Sequence, residues 1–272
     1  MLHIATVHHR SPRWIEIQTR ELRRHISVPY ETWTSLEGID AAYEAHFDHV
    51  VDQAGGHAGK LNNLAMEIAH QGEDDDLVMF LDGDAFPIDD PMPLIRSGLA
   101  EAPLVAVQRA ENLGDQQPHP CFCVTSVGTW RKLPGDWSMG HRWHTPDGRR
   151  PTDVGGNLLR ALELNDTPWT PVHRTNPIRT DALMFAIYGD AIYHHGAGFR
   201  RRGGASRAHY DTQPRLLPLP DNLLLRMVAT RFNRAKVTRW KIKTRGPQIV
   251  ESNRLFARIE SDDAEWVSSL RG

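Results

Sequence analysis

The stretch that most constrains the fold is the apolar run 77–81, which leads without a break into Asp82-Gly83-Asp84. Half-exposed strands alternate polar and apolar residues, so an unbroken apolar run predicts a strand buried on both faces of a mostly parallel sheet. Open α/β sheets bind ligands at the carboxyl ends of their strands. The run therefore predicts either a divalent-cation site that carries a phosphate, with Gly83 leaving room for the ligand, or an acidic turn that closes a core strand.

Composition predicts a large α/β protein. The chain has 272 residues, 40% of them hydrophobic and 24% charged, with a formal net charge of -2. We expect one domain over residues 1–205, with halves at about 1–110 and 111–205, and a helical extension over 206–272. No apolar stretch approaches the roughly 18 residues needed to span a membrane, and no signal peptide is evident, so a cytoplasmic protein is expected. Cys121 and Cys123 are expected to be buried thiols.

The first third of the chain predicts strands joined by right-handed crossovers. Residues 4–7 form a predicted strand, Pro12 begins a predicted helix that ends near residue 25, and strands are predicted at 30–36 and 49–52. Thr6, His8 and Asp52 are therefore expected at strand ends that face the crevice. Each is expected either to contact a nucleotide or to be a solvated loop residue.

A glycine-rich stretch, residues 55–60, precedes a predicted helix. Free backbone N–H groups and the helix dipole at such an entry favour a phosphate, and Lys60 would add a full charge. The stretch is not a Walker loop, because GxxxxGK[ST] is absent. The alternative is a glycine-rich loop with a solvated lysine.

Three later segments carry candidate ligand contacts. Residues 137–151 interleave aromatic residues, histidines and arginines, as in a loop that contacts a sugar or an acceptor, or as in an ordered surface loop. Asp153 precedes a predicted helix, where it is either an acid stabilised by the dipole or a general base. His194 and His195 end a pair of short extended pieces and precede the arginines at 200–202, which places metal ligands beside anion-binding groups.

The C-terminal region is basic. Lysines and arginines occur without an acidic residue from Arg226 to Arg245, within a predicted helix that begins near Asp221. Such a segment either lies on an anionic membrane surface or is a solvated face, so peripheral membrane association through 221–245 is one expectation.

Together these features resemble a GT-A type glycosyltransferase, the DxD-containing, family-2-like class that uses nucleotide-activated sugars. The resemblance covers roughly residues 3–205 and implies a Rossmann-like, mostly parallel sheet with helices on both faces. It also implies a nucleoside-diphosphate sugar donor, Mn²⁺ or Mg²⁺, and an acceptor hydroxyl on a saccharide, a natural product or a lipid-linked glycan. No nucleic-acid partner is expected.

The resemblance also assigns roles to residues. Asp82 and Asp84 match the metal-binding DxD motif, and Lys60, Asn63, Gly83 and Arg200 are implied to contact the donor. His194 is favoured over His195 as a metal ligand, because Arg200 follows it by six positions. Asp153 matches the catalytic base of inverting members, although Thr152 replaces the first acid of their usual acidic pair. Without that base, a retaining reaction is expected.

Three other functions fit parts of the sequence. The segment FLDGDAF is similar to the first motif of haloacid-dehalogenase-type phosphatases, but that motif usually ends the first strand of the fold. Sugar nucleotidyltransferases usually have a glycine-rich loop after the first strand, which HHRSPRW lacks. A non-catalytic nucleotide-sugar-binding protein would keep the fold without the chemistry.

Overall fold

A seven-stranded sheet forms the centre of the computed structural model, which describes residues 1–52, 55–112, 114–143, 150–179, 182–196 and 217–272. Within α6, the side chains of 237 and 240–245 are also outside the description. The strands are β1 (Leu2–His9), β2 (Tyr30–Glu37), β3 (His49–Val50), β4 (Leu77–Asp82), β5 (Ala85–Pro87), β6 (Leu104–Gln108), β7 (Pro118–Ser126), β8 (Thr170–Val172), β9 (Ala186–Tyr188) and β10 (Ile192–His194). The helices are α1 (Ile15–His25), α2 (His57–Gln71), α3 (Met92–Glu101), α4 (Val127–Lys132), α5 (Gly156–Leu164), α6 (Leu223–Glu260) and α7 (Ser268–Arg271), with a 3-10 helix at Ala41–His46.

The central sheet has the order β3-β2-β1-β4-β7-β6-β8. All neighbouring pairs are parallel except those of β7, which runs antiparallel to β4 and β6. Apolar side chains of α1 and α3 fill a core on one face, and those of α2, α4 and α5 fill a core on the other. The predicted fold class, a mostly parallel α/β sheet with helices on both faces, is confirmed.

A second, antiparallel sheet of three strands has the order β5-β10-β9. Its side chains, with Trp14 just before α1 and Ile17 of α1, form a third core that also contains Leu255, Phe256 and Ile259 from the end of α6. Within the predicted extension, the described residues include the helices α6 and α7, and the end of α6 packs on the body of the protein.

Several predicted elements need correction. The first helix begins at Ile15 rather than Pro12, because residues 12–14 form a turn before it. The three-residue strands β5 and β8 have no predicted counterpart, since three residues are too few for a periodic pattern. Cys121 and Cys123 are buried free thiols, as expected. Among the described helices, none combines the length and the apolar character required to cross a membrane.

Candidate metal centre

Asp82, Asp84 and His194 come together where the two sheets meet. Asp82 ends β4, and Asp84 lies in the turn between β4 and β5. His194 pairs with Ala85 because β10 runs antiparallel to β5, and the N–H of His195 donates to the Asp84 carbonyl at 3.0 Å. One ligand atom from each of Asp82, Asp84 and His194 lies within 4.8 Å of the others. Strand register thus joins residues that are far apart in sequence.

The charges around Asp82 keep its carboxylate ionised. Burial alone raises the pKa of Asp82, but the hydrogen bond from His57 and the charges of His57 and His194 outweigh burial and hold it well below its ordinary value. His57 Nε2 donates to Asp82 Oδ1 at 3.1 Å. Burial lowers the pKa of His57, yet the bond to Asp82 and the charges of neighbouring carboxylates raise it overall.

His194 presents Nε2 to both carboxylates. This nitrogen lies 3.6 Å from Asp82 Oδ2 and 3.4 Å from Asp84 Oδ1. Burial lowers the pKa of His194, but Cys121 and Asp84 raise it by more. Two carboxylates and one imidazole form a donor set suited to Mn²⁺ and acceptable to Mg²⁺, and three ligands leave further positions for a substrate's oxygens. The residues present therefore fit a divalent cation.

His195 does not belong to this donor set. Tyr193 Oη and Ser252 Oγ each lie 2.8 Å from one of its ring nitrogens, and the ring lies 4.5 Å from that of Trp14 in the third core. Both nitrogens are occupied and the side chain is fully buried. The prediction of His195 as a metal ligand is therefore corrected, because adjacent residues on a strand face opposite sides.

Gly83 makes room for protein and not for a ligand. A Cβ at this position would lie 2.6 Å from the Val7 carbonyl oxygen and 2.8 Å from His8 Nδ1, distances that real Cβ atoms do not adopt. The prediction that Gly83 leaves space for a ligand is corrected: its missing side chain lets the acidic turn pack against β1.

Thr6 and His8 face the interior, where both hydrogen-bond Gln18 of α1. Thr6 Oγ1 donates to Gln18 Oε1 at 3.1 Å, and His8 Nε2 lies at the same distance from that oxygen. Burial lowers the pKa of His8 to about 4. Because both side chains are buried and bonded to Gln18, their expected position facing the crevice is corrected.

Gln18 links these strand residues to the acidic turn. Its Nε2 donates to the carbonyls of Asp82 at 2.9 Å and Ala85 at 2.7 Å. This role could not be predicted from the sequence, since a glutamine on a helix has no distinctive spacing.

The remaining predicted donor contacts lie just after β3, on α2, or outside the described residues. Asp52 is exposed just after β3, and Asn63 is half-buried on α2. Lys60 is only 4% exposed, and its ammonium pairs with Glu37 Oε2 at 2.8 Å, so the alternative of a solvated lysine is wrong. Arg200 and its neighbours at 201–202 lie outside the described residues.

Asp153 is held by a buried arginine. Arg109 Nη2 donates to Asp153 Oδ2 at 2.7 Å, and the N–H of Val154 donates to Oδ1 at 2.9 Å. Burial raises the pKa of Asp153, but the charges of Arg109 and His119 lower it overall. Its side chain remains 39% exposed. The carboxylate is therefore ionised, oriented and open to solvent.

Arg109 also faces Asp115, which is buried. Arg109 Nη2 lies 3.7 Å from Asp115 Oδ2, and burial raises the pKa of Asp115. Arg109, His57 and His119 were all missed as site residues from the sequence. Arg109 directly follows the buried strand β6, and a basic residue at the end of a buried strand is a signal that could have identified it as a site residue.

The aromatic loop differs from its prediction. Trp137 is fully buried and packs against Phe80 and Trp130 with ring centroids 5.0 and 5.9 Å apart, and Trp143 is also buried. These indoles belong to the core, so the interpretation of this stretch as aromatic faces for a sugar is wrong for them. Residues 144–149 lie outside the described part.

The solved structures to which the chain is similar include three glycosyltransferases. The mannosyltransferase PcManGT from Pyrobaculum calidifontis, in complex with GDP-Man and Mn²⁺, is 13% identical with a TM-score of 0.44, over 65% of this chain and 57% of that one. The apo form of the glycosyltransferase GlyE from Streptococcus pneumoniae TIGR4 is 14% identical with a TM-score of 0.40, over 62% and 44%. The galactosyltransferase LgtC, in complex with donor and acceptor sugar analogues, is 13% identical with a TM-score of 0.34, over 48% and 59%.

In each case the match spans less than two thirds of the other protein's length. No protein-family model and no curated protein matches the chain.

Proposed function

We propose that this protein is a metal-dependent glycosyltransferase that moves a sugar from a nucleoside-diphosphate sugar to an acceptor hydroxyl. The observation that carries the proposal is the cluster of Asp82, Asp84 and His194 at the carboxyl edge of a mostly parallel sheet. That edge is where open α/β folds bind nucleotides. An ionised Asp153 lies on the same edge, within electrostatic range of His57 and His119.

Asp82, Asp84 and His194 would hold Mn²⁺ or Mg²⁺. When bound, the cation supplies positive charge against the negative charge that develops on a departing diphosphate. His57, whose pKa Asp82 raises, lies at the first position of α2 and would add a second positive group near the phosphates. Arg200 is proposed to contact the same phosphates.

Asp153 is proposed as the general base of an inverting reaction. Its carboxylate would accept the proton of the acceptor hydroxyl as that oxygen bonds to the anomeric carbon and the bond to the diphosphate breaks. Arg109 would orient the carboxylate and keep it ionised before the acceptor binds. The single displacement on the opposite face of the sugar inverts the anomeric configuration.

Ligand-dependent stabilisation tests the donor site. Thermal unfolding is measured with a panel of nucleoside diphosphates, each with and without Mn²⁺. A ligand at 100 times its Kd stabilises the folded state by about 2.7 kcal/mol. We expect stabilisation by a nucleoside diphosphate only when Mn²⁺ is present, and its loss in Asp84→Asn.

The matched control is Asp75→Asn, which removes an exposed carboxylate in the turn before β4. This variant should keep the response of the unmodified protein. A response in Asp84→Asn equal to that of the control would remove Asp84 from the site. Hydrolysis of phosphomonoesters without any response to nucleotide would favour the phosphatase alternative instead.

A further inference from the structure

The N-terminal part of α6 carries an apolar turn that the rest of the described protein does not cover. We call residues 222–250 the basic arm. The side chains of its first turns are exposed by 60–73% at Leu223, Leu224, Leu225, Met227 and Val228. The three hydrophobic cores contain no residue of the arm, and their helical contribution from α6 begins at Leu255. Exposed large apolar side chains grouped at one end of a helix mark an interaction site.

The charge of the arm is one-sided. Eight of the chain's 32 lysines and arginines, and none of its 34 aspartates and glutamates, lie in residues 222–250. The arm therefore carries a charge of +8, and the rest of the chain carries -10. Arg231, Arg234 and Arg239 are exposed and form no ion pair with any residue that the structure describes. The arm thus presents positive charge directly behind its apolar end.

The distribution of apolar residues around the helix indicates which kind of partner would cover the end of the arm. Successive residues of an α-helix are turned by about 100°, so Leu223, Leu224 and Leu225 point in three widely separated directions. A protein groove covers one side of a helix, and a second copy of the arm would bring like charges together. The boundary between headgroups and acyl chains can instead surround a helix end on all sides, and anionic headgroups neutralise the arginines behind it.

The way the arm is attached allows its end to reach a membrane surface. From residue 223 to 250 the helix is about 42 Å long, and Gly246-Pro247 lies near the end of the arm that continues into the packed part of α6. Proline lacks the N–H that would continue the helical hydrogen bonding, and glycine adds backbone freedom, so this is the weakest point of α6. The arm can therefore change its angle without disturbing residues 255–259 in the core.

We propose that the basic arm binds the surface of a membrane rich in anionic phospholipid, with residues 223–228 in the headgroup boundary and the arginines at headgroup depth. This inference is independent of the proposed enzymatic function. It is tested by co-sedimentation of the full chain with vesicles of phosphatidylcholine alone or mixed with phosphatidylserine. Binding is expected only to the mixed vesicles, and it should weaken as salt is raised.

Two variants and one control make the test specific. The triple variant Arg231→Glu, Arg234→Glu, Arg239→Glu should weaken binding by at least about 100-fold, since each basic residue contributes about fivefold. Leu224→Ser, Leu225→Ser, Val228→Ser should also weaken it, because the apolar contribution is lost. The control Arg23→Glu, Arg96→Glu, Arg160→Glu makes the same charge change at exposed positions on α1, α3 and α5 and should bind normally.

Circular dichroism should show the same helix content in all variants, because the substituted residues lie outside the cores. Failure of the unmodified chain to bind the mixed vesicles would overturn the proposal. So would equal loss of binding in the control variant. Self-association by analytical ultracentrifugation that the arm variants abolish, without vesicle binding, would assign the arm to a second copy of the chain and also overturn it.

Discussion

Gln18 shows how a single side chain positions the acidic turn. Its amide group donates to two carbonyls of the turn and lies within hydrogen-bond distance of two side chains of β1, all in the protein interior. Buried polar groups left without partners cost about 1–3 kcal/mol each, so these contacts hold β1, α1 and the turn in one arrangement. The carboxylates of the proposed metal site are therefore positioned by a residue outside that site.

Gly83→Ala tests whether close packing positions the carboxylates. The new Cβ would overlap the Val7 carbonyl and the His8 ring, so the turn must shift away from β1. We expect a loss of stability of about 1–3 kcal/mol, as in other overpacked sites, together with weaker Mn²⁺-dependent binding of nucleoside diphosphate. Urea unfolding and calorimetry measure the two effects. Gly246→Ala is the control, because no atom lies within 4 Å of a Cβ built there and this glycine lies on α6, outside the acidic turn. Wild-type metal-dependent binding in Gly83→Ala would contradict this account of the turn.

Asp153→Asn tests the proposed base separately from the donor site. Asparagine keeps the shape of the side chain and can still accept a hydrogen bond from Arg109, but it cannot take up the acceptor's proton. We expect turnover to fall by about two or more orders of magnitude, with metal-dependent donor binding unchanged. Steady-state kinetics and calorimetry on the same preparation give both values. Full turnover would place the base elsewhere.

Secondary-structure elements that have a local sequence pattern could be predicted. Short strands whose position depends on pairing with a distant strand could not. The apolar run of β4 and the spacing of Leu61, Leu64 and Ile68 in α2 identify their elements without tertiary information. The pairing of β10 with β5 involves three residues on each strand, and its register depends on contacts across more than 100 positions. The same limit explains why Asp82 and Asp84 could be proposed together, but the links from Arg109 to Asp153 and from His57 to Asp82 could not.

The two ends of α6 provide a comparison within one helix. Phe256 is buried, with its ring 4.8 Å from that of Trp14 and the Arg13 guanidinium 3.4 Å from its centroid. Phe256→Ala should destabilise the protein by about 3–5 kcal/mol through lost burial and a cavity. Phe232→Ala removes a ring that is 48% exposed and should cost less than about 1 kcal/mol. Chemical denaturation measures both. Equal losses would show that the arm packs on the body in solution.

At the scale of the whole molecule, the candidate site residues lie at one end of the strands of the central sheet, the end at which β1, β2 and β4 terminate. The carboxyl ends of β1, β2 and β4, the end of β6 and the start of β7 all reach this edge, because β7 alone is antiparallel. Net charge is distributed unevenly along the chain: acidic residues are in excess in the body, and basic residues are in excess in the arm. The overall net charge of -2 conceals this division, so bulk composition could not indicate it.

The proposed cation site would take its ligands from two sheets, and His194 follows Asp84 by 110 residues. During translation the two aspartates leave the ribosome well before the histidine, and β10 must then find β5 before all three donors exist. A growing chain can consequently hold a cation in this way only after most of it has been made. Once captured, the ion would fasten the late-arriving hairpin to the first-formed half of the protein.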